Sequence, residues 1–171
     1  MNKELRKVKL GDLDSLAEML VEFWQSQFVH PSDSDILEDI RRMLDSKGIG
    51  RLILADGAIS GFIYVNEKYG YLNNIEYLYV KKEFRSKGLA SFAIKEIQKI
   101  VLSKDNDRVQ IEVSPFNTKA LRLYHRLGFT NIDTITLTTH LPGKTKEMDF
   151  QGLSFQINPV EAFQKQEKEE D

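Results

Sequence analysis

Two short segments of this 171-residue chain carry residue types that could do chemistry. Arg85-Ser86-Lys87-Gly88-Leu89-Ala90 follows a β-branched and aromatic run and opens an amphipathic helix. Backbone N–H groups without helical partners there sit beside two cationic side chains, a ready seat for a phosphate. Gly88 lets a ligand approach the backbone closely, and Ala90 keeps the first helical turn thin. The second segment, Asn117 to Phe129, reads Asn-Thr-Lys-Ala-Leu-Arg-Leu-Tyr-His-Arg-Leu-Gly-Phe and puts Tyr124 on a later helix. An anion seat joined to a positioned acid is the outline of a transferase with a phosphate-bearing carrier. The loop lacks the G-K-[ST] ending of a P-loop and lacks G-x-G-x-x-G, which disfavours nucleoside triphosphates and dinucleotides. There is no cysteine, so disulfides, thiolate metal sites and cysteine-acyl intermediates are excluded. His30, His125 and His140 are too scattered for a metal pair on one helix, and no H-E-x-x-H or G-x-S-x-G run occurs.

The elements that must position these residues follow from periodicity. Leu5 to Leu10 suits a first strand. Leu13, Leu16, Ala17, Leu20, Val21 and Trp24 mark a helix ending near Gln27. After Pro31, Ser32 or Ser34 caps a second helix carrying Ile36, Leu37, Ile40, Met43 and Leu44 and stopping at Gly48. Arg51–Ala55 and Ile59–Asn66 flank Asp56-Gly57, a hairpin signal, and Tyr71–Val80 forms a third strand of that meander. Leu89, Phe92, Ala93, Ile97, Ile100 and Val101 give the next helix its apolar stripe. Alternation over Val109–Val113 predicts a half-buried strand. Pro115-Phe116-Asn117 then turns into a short helix ended by Gly128. Ile132–His140 and Met148–Ile157 read as a closing hairpin around Pro142-Gly143, and the Gln-Lys-Glu run from Pro159 reads as a frayed tail. The expectation is one α/β (α+β) domain over residues 1–158, with a mixed sheet of six or seven strands, about four helices, and a polar tail at 159–171.

Bulk composition narrows the partners. With 41% hydrophobic and 29% charged residues the chain reads as an ordinary soluble domain. A net charge of −2 argues against a general nucleic-acid binder. No leader-like apolar region opens the chain and no 18-residue apolar stretch occurs, so the expectation is a cytoplasmic protein without a membrane partner. Charge is nevertheless segregated. Residues 11–40 hold acidic side chains and no Lys or Arg, whereas Lys81, Lys82, Arg85, Lys87, Lys95, Lys99 and Lys104 cluster around the loop. One region attracts cations and the other anions.

Arg85-x-x-Gly88-x-Ala90 resembles the Q/R-x-x-G-x-G/A pyrophosphate loop of the GCN5-related N-acetyltransferases. Pro115-x-Asn117-x-x-Ala120-x-x-Leu123-Tyr124-x-x-x-Gly128-Phe129 is similar to that family's second signature, in the same order and separated by one helix and one strand. Ser86 departs from the glycine frequent at its position, and Ala90 is the small alternative to glycine. The resemblance implies acetyl-CoA as co-substrate and a strand before the loop that is bulged and splayed from its parallel neighbour. It further implies that backbone groups of Leu78, Tyr79 and Val80 hold the pantetheine arm. Arg85, Ser86, Lys87, Gly88, Leu89 and Ala90 would bind pyrophosphate, and Asn117 and Lys119 would reach the cofactor from the later helix. Tyr124 takes the general-acid position, since a phenol near about 10 can protonate a thiolate of pKa about 8.5. Glu76, read as sharing a strand face with Leu78 and Val80, is the base candidate. The run Ile75 to Val80 resembles the aminoglycoside 6′-N-acetyltransferase branch, which implies a small cationic amine as acceptor. Glu22 and Trp24 are candidate acceptor contacts, with core packing the competing role for Trp24. Peptide or lysine acetylation and a non-catalytic acyl-CoA-binding module are the alternatives. Through the closing hairpin, members of the family often form homodimers.

Overall fold

The structure, a computed structural model, describes residues 1–27, 29–104, 106–115, 117–141 and 145–157. Its α/β elements fall into two compact units, Met1–Glu112 and Val113–Asp171. In the first, β1 (Lys3–Lys7), β2 (Ile49–Ala55), β3 (Ala58–Lys68), β4 (Tyr71–Val80) and β5 (Gln110–Ile111) form one mixed sheet in that spatial order. The first four pair antiparallel and β5 joins β4 in parallel. Asp56-Gly57 (φ 49° and 84°) and Tyr69-Gly70 (φ 54° and 81°) make the two tight turns. Both central residues are left-handed, the geometry that matches strand twist.

Three helices clothe this sheet. For α1 (Leu13–Gln25) the buried residues are Leu16, Met19 and Leu20; for α2 (Asp33–Leu44) they include Ile36, Ile40 and Met43. These six share a core with Leu52, Phe62, Tyr64, Tyr77 and Tyr79. Each such side chain adds roughly 1.5–3 kcal/mol over leaving it exposed, against about 0–1 kcal/mol for a surface ion pair. Apolar packing therefore decides where α1 and α2 sit. Ser32, rather than Ser34, caps α2: its hydroxyl accepts the Asp35 N–H (3.3 Å), while the Asp35 carboxylate accepts the Ser32 N–H (2.9 Å). The helix stops at Leu44, one turn before Gly48. At Gly50 a Cβ would stand 2.3 Å from the Met43 carbonyl oxygen, so only glycine lets the end of α2 rest on β2. The third helix, α3 (Leu89–Leu102), buries Leu89, Ala93, Ile94, Ile97 and Val101.

The β3–β4 register carries the detail that matters most. Tyr64 faces Tyr77 and Val65 faces Ile75, which leaves Glu76 as an extra residue, a β-bulge. Simple alternation would group Ile75 with Tyr77 and Tyr79; instead the two tyrosines join the core of α1 and α2 and Ile75 does not. The reading that set Glu76 on a face with Leu78 and Val80 is corrected by the bulge, which turns Glu76 toward Arg42 of α2. A second bulge leaves Asn73 extra between Asn74 and Leu72. The parallel ladder to β5 has only two rungs, Asn74 to Gln110 and Ile75 to Ile111. Among the described residues, β4 beyond Ile75 has no strand on that edge, which is the splay the family resemblance implied. The strand expected over 109–113 is thus shortened to its two paired residues.

The second unit holds α4 (Thr118–Arg126) and a separate two-stranded sheet of β6 (Lys146–Phe150) and β7 (Leu153–Ile157). Seven strands are present among the described residues, divided five and two. The closing hairpin differs from its sequence expectation. Ile132–His140 is not a strand, and both arms come from residues 146–157, turning at Gln151-Gly152 (φ 57° and 76°). Asp149 Oδ1 accepts the Gly152 N–H at 3.4 Å and supports that turn. Phe116, Pro142, Gly143 and the 159–171 tail lie outside the described residues.

Candidate functional site

Local chain geometry first leaves the start of α3 open. Ser86 (φ 62°) and Gly88 (φ 75°) are both left-handed, and no side chain caps the start of α3. Among the described residues the N-cap Gly88 makes no side-chain cap bond, the first-turn amides of a helix lack helical partners, and the helix dipole adds to their pull on an anion. Ser86 takes at some strain a conformation that glycine takes freely, which accounts for glycine being frequent there in the resembled family. The two loop cations are turned back onto main chain: Arg85 Nε donates to the Val80 carbonyl (2.9 Å) and Lys87 Nζ to that of Glu83 (3.0 Å). Arg85 also lies 5.8 Å from the Tyr79 ring centre. A third cation was missed in the sequence. Lys3 Nζ lies 3.1 Å from where a Cβ on Gly88 would stand, and nothing in β1 taken alone marks it.

The loop before α3 follows directly on β4, whose edge beyond Ile75 is open among the described residues. Leu78 and Val80 are half-buried, and Tyr79 is buried with its hydroxyl donating to Glu22 Oε2 on α1. Burial first, and then the Glu22 carboxylate, push the Tyr79 phenol up to about 12. The role given to Tyr79 concerned its backbone, so its side chain is left to tie β4 to α1. Glu22, a candidate acceptor contact, spends one oxygen on that tie. Trp24 packs against the core and donates from Nε1 to Asp39 Oδ2 at 2.8 Å.

The bulge feeds a polar network that local pattern could not announce. Arg42 Nη2 pairs with Glu76 Oε2, while Arg42 Nη1 reaches the Tyr77 hydroxyl (3.1 Å) and Asp39 Oδ1 (3.5 Å). Tyr77 donates in turn to Asp39 Oδ1 at 2.8 Å. Buried Asp39 thus gathers bonds from Trp24, Tyr77 and Arg42, the condition for holding a charge in a core. Burial opposes the Arg42 charge, yet the hydrogen bond and charge of Glu76 outweigh it and raise its pKa. Burial and the bond to Asp39 push the Tyr77 phenol well up. Glu76 also borders a cavity of about 280 Å³ shared with Asn66, Lys68, Asn74, Ile75 and Glu112. A second cavity of about 290 Å³ is lined by Trp24, Val29, His30, Pro31, Asp35, Glu38 and Asp39.

The remaining expected residues belong to the second unit. Asn117 Oδ1 accepts the Ala120 N–H at 3.1 Å, so that oxygen caps α4. Lys119 is exposed on the first turn. Tyr124 is half-buried with its ring 5.9 Å from that of Phe129, and burial raises its phenol pKa. Its carbonyl accepts from Leu127 (2.9 Å) and Phe129 (3.1 Å), and Gly128 (φ 95°) closes the helix.

Comparison with known proteins bears on the whole arrangement. A model of the acetyltransferase (GNAT) family matches residues 13–129. The aminoglycoside N(6′)-acetyltransferase type 1 of Salmonella typhimurium (strain LT2) is 24% identical over 141 residues, covering 77% of this chain and 94% of that protein. AAC(6′)-Iy, solved with the bisubstrate analog CoA-S-monomethyl-acetylneamine, superposes with a TM-score of 0.67 at 19% identity, over 82% of this chain and 99% of its own. A possible acetyltransferase from Clostridium difficile 630 gives a TM-score of 0.69 at 19% identity, again over 82% and 99%.

Proposed function

The chain belongs to the GNAT acetyltransferase family, and from that premise we propose that it transfers the acetyl group of acetyl-CoA directly to a primary amine of a small, cationic acceptor in the cytoplasm. The observation that carries this reading is the Glu76 bulge on an open strand edge, followed at once by the uncapped start of α3. The donor set suits a phosphate-bearing thioester. Gly88 leaves room that a Cβ would take from Lys3, and the α3 amides, Arg85, Ser86, Lys87, Leu89 and Ala90 offer donors without a built-in anion. Backbone groups of Leu78, Tyr79 and Val80 would hold the pantetheine arm and polarise the thioester carbonyl. Acetyl-CoA supplies an activated acyl group; the new N–C bond forms as the C–S bond breaks.

The chain's own part is proton handling. The amine must shed a proton to attack and the leaving thiolate must gain one. Arg42 fixes Oε2 of Glu76, and Oε1 takes the proton of the amine. Tyr124 is the acid: a phenol is protonated at neutral pH, and burial, which raises its pKa, holds that proton until the thiolate is there to take it. Asn117 and Lys119 assist the cofactor from α4. With no cysteine in the chain, transfer runs in a ternary complex and not through a cysteine-acyl enzyme. The acidic residues of segment 11–40 and the aminoglycoside activity named for similar proteins support a cationic acceptor. The reading is tested by CoA-thiol release with polyamines, aminoglycosides, amino acids and peptides. Release with a cationic small amine is expected; release with peptides alone would redirect the acceptor to protein.

A further inference from the structure

One residue lining the cavity beside the bulge, Asn74, carries an unpaired group. Asn74 is 7% exposed, its Nδ2 donates to Asn66 Oδ1 at 2.8 Å, and its own Oδ1 is buried without a hydrogen-bond partner among the described residues. A buried acceptor left unsatisfied is costly and uncommon in a folded chain. The polar groups around it are lopsided. Two carboxylates, Glu76 and Glu112, line the cavity beside the two asparagine amides, whose NH2 groups donate and whose oxygens accept, whereas the one lining cation, Lys68, already pairs with Glu112 at 2.6 Å. A ligand that satisfies Asn74 Oδ1 must donate, and one that meets Glu76 and Glu112 gains from positive charge. A primary ammonium offers three donors and no acceptor. The cavity of about 280 Å³ is roomy beside the about 30 Å³ that a single water occupies in the liquid. Resting on the acetyl-transfer reading above, we propose that this cavity seats the amine end of the acceptor, and that Asn74 selects primary amines by accepting one of their N–H bonds. The terminal amide torsion of asparagine is soft, so a small turn of the amide brings Oδ1 to the incoming donor.

The experiment uses the full chain, labelled with nitrogen-15 and free of acetyl-CoA, titrated with 1,4-diaminobutane and separately with tetramethylammonium. The second probe carries a positive charge but no N–H. The side-chain amide signals of Asn74, identified by their loss in Asn74→Leu, are expected to shift saturably with the diamine and to stay still with tetramethylammonium. Asn74→Leu should weaken diamine binding by at least about tenfold, the effect of losing one bond to a charged donor, with acetyl-CoA affinity unchanged. Asn74→Asp keeps an acceptor at the site and should bind the diamine at least as well, which provides a second variant if the leucine form fails to fold. Equal shifts with both probes, no shift with either, or full diamine affinity in Asn74→Leu would overturn the assignment. Diamine binding at Asn74 without acetyl transfer sinks the transferase reading and leaves this site standing. Amine acetylation that never perturbs Asn74 does the reverse.

Discussion

A tyrosine can protonate a departing thiolate only while it keeps its own proton, a condition any phenol of pKa about 10 meets at neutral pH. Burial raises the Tyr124 pKa, which keeps the proton in place and makes its transfer more dependent on close approach of the thiolate. Tyr124→Phe retains the ring and its contact with Phe129 and removes only the hydroxyl. Turnover should fall about 100-fold or more, while acetyl-CoA binding measured by calorimetry stays the same; an undiminished kcat would remove Tyr124 from the mechanism. The tyrosine could be read from sequence because its signature is local, from Asn117 to Phe129. Glu76 was legible only as a carboxylate on a strand. Its partner Arg42 lies 34 residues earlier, and Asp39 and Trp24 complete a network that no spacing rule connects. Asn74 likewise gave no signal in sequence, since its interest lies in a bond it fails to make.

At the scale of elements, α2 sets where Arg42 meets the bulge, and Gly50 sets where α2 rests. A Cβ at residue 50 would meet the Met43 carbonyl at 2.3 Å. Gly50→Ala is therefore expected to cost about 1–3 kcal/mol through overpacking, lowering Tm by about 2–4 °C per kcal/mol in a chain of this size. Because Arg42 adjoins Met43, acceptor kcat/KM should fall as well, with acetyl-CoA affinity kept; a variant with wild-type Tm and activity would refute this coupling. Turn and cap chemistry made the meander and α2 readable, through Asp56-Gly57 and Ser32. Bulges were not readable, because an extra residue exists only relative to the strand it pairs with. The closing hairpin was misplaced for a related reason: Pro142-Gly143 looks like a turn, whereas the actual turn, Gln151-Gly152, asks a glutamine to adopt a left-handed φ of 57°.

For the molecule as a whole, the tyrosines gathered under α1 and α2 set an alkaline limit. Tyr64 and Tyr77 have raised pKa values, and that of Tyr79 reaches about 12. An unfolded chain gives up these protons near about pH 10, so above that pH the folded state binds more protons than the unfolded one and stability falls as pH rises. Tm should hold up to about pH 10 and then drop toward about 12. A flat Tm over that window would contradict the buried phenols, and Tyr79→Phe should remove part of the drop. The segregation of charge, acidic over residues 11–40 and basic over 81–104, was visible from the start and fits a cationic acceptor meeting an anionic carrier. The most direct test of that account is amine-dependent release of CoA thiol from acetyl-CoA, paired with mass detection of the acetylated product. Stoichiometric thiol and N-acetyl product with a small polyamine or aminoglycoside is the expected result. Tight acetyl-CoA binding with no thiol released by any amine would contradict it and leave an acyl-CoA-binding module.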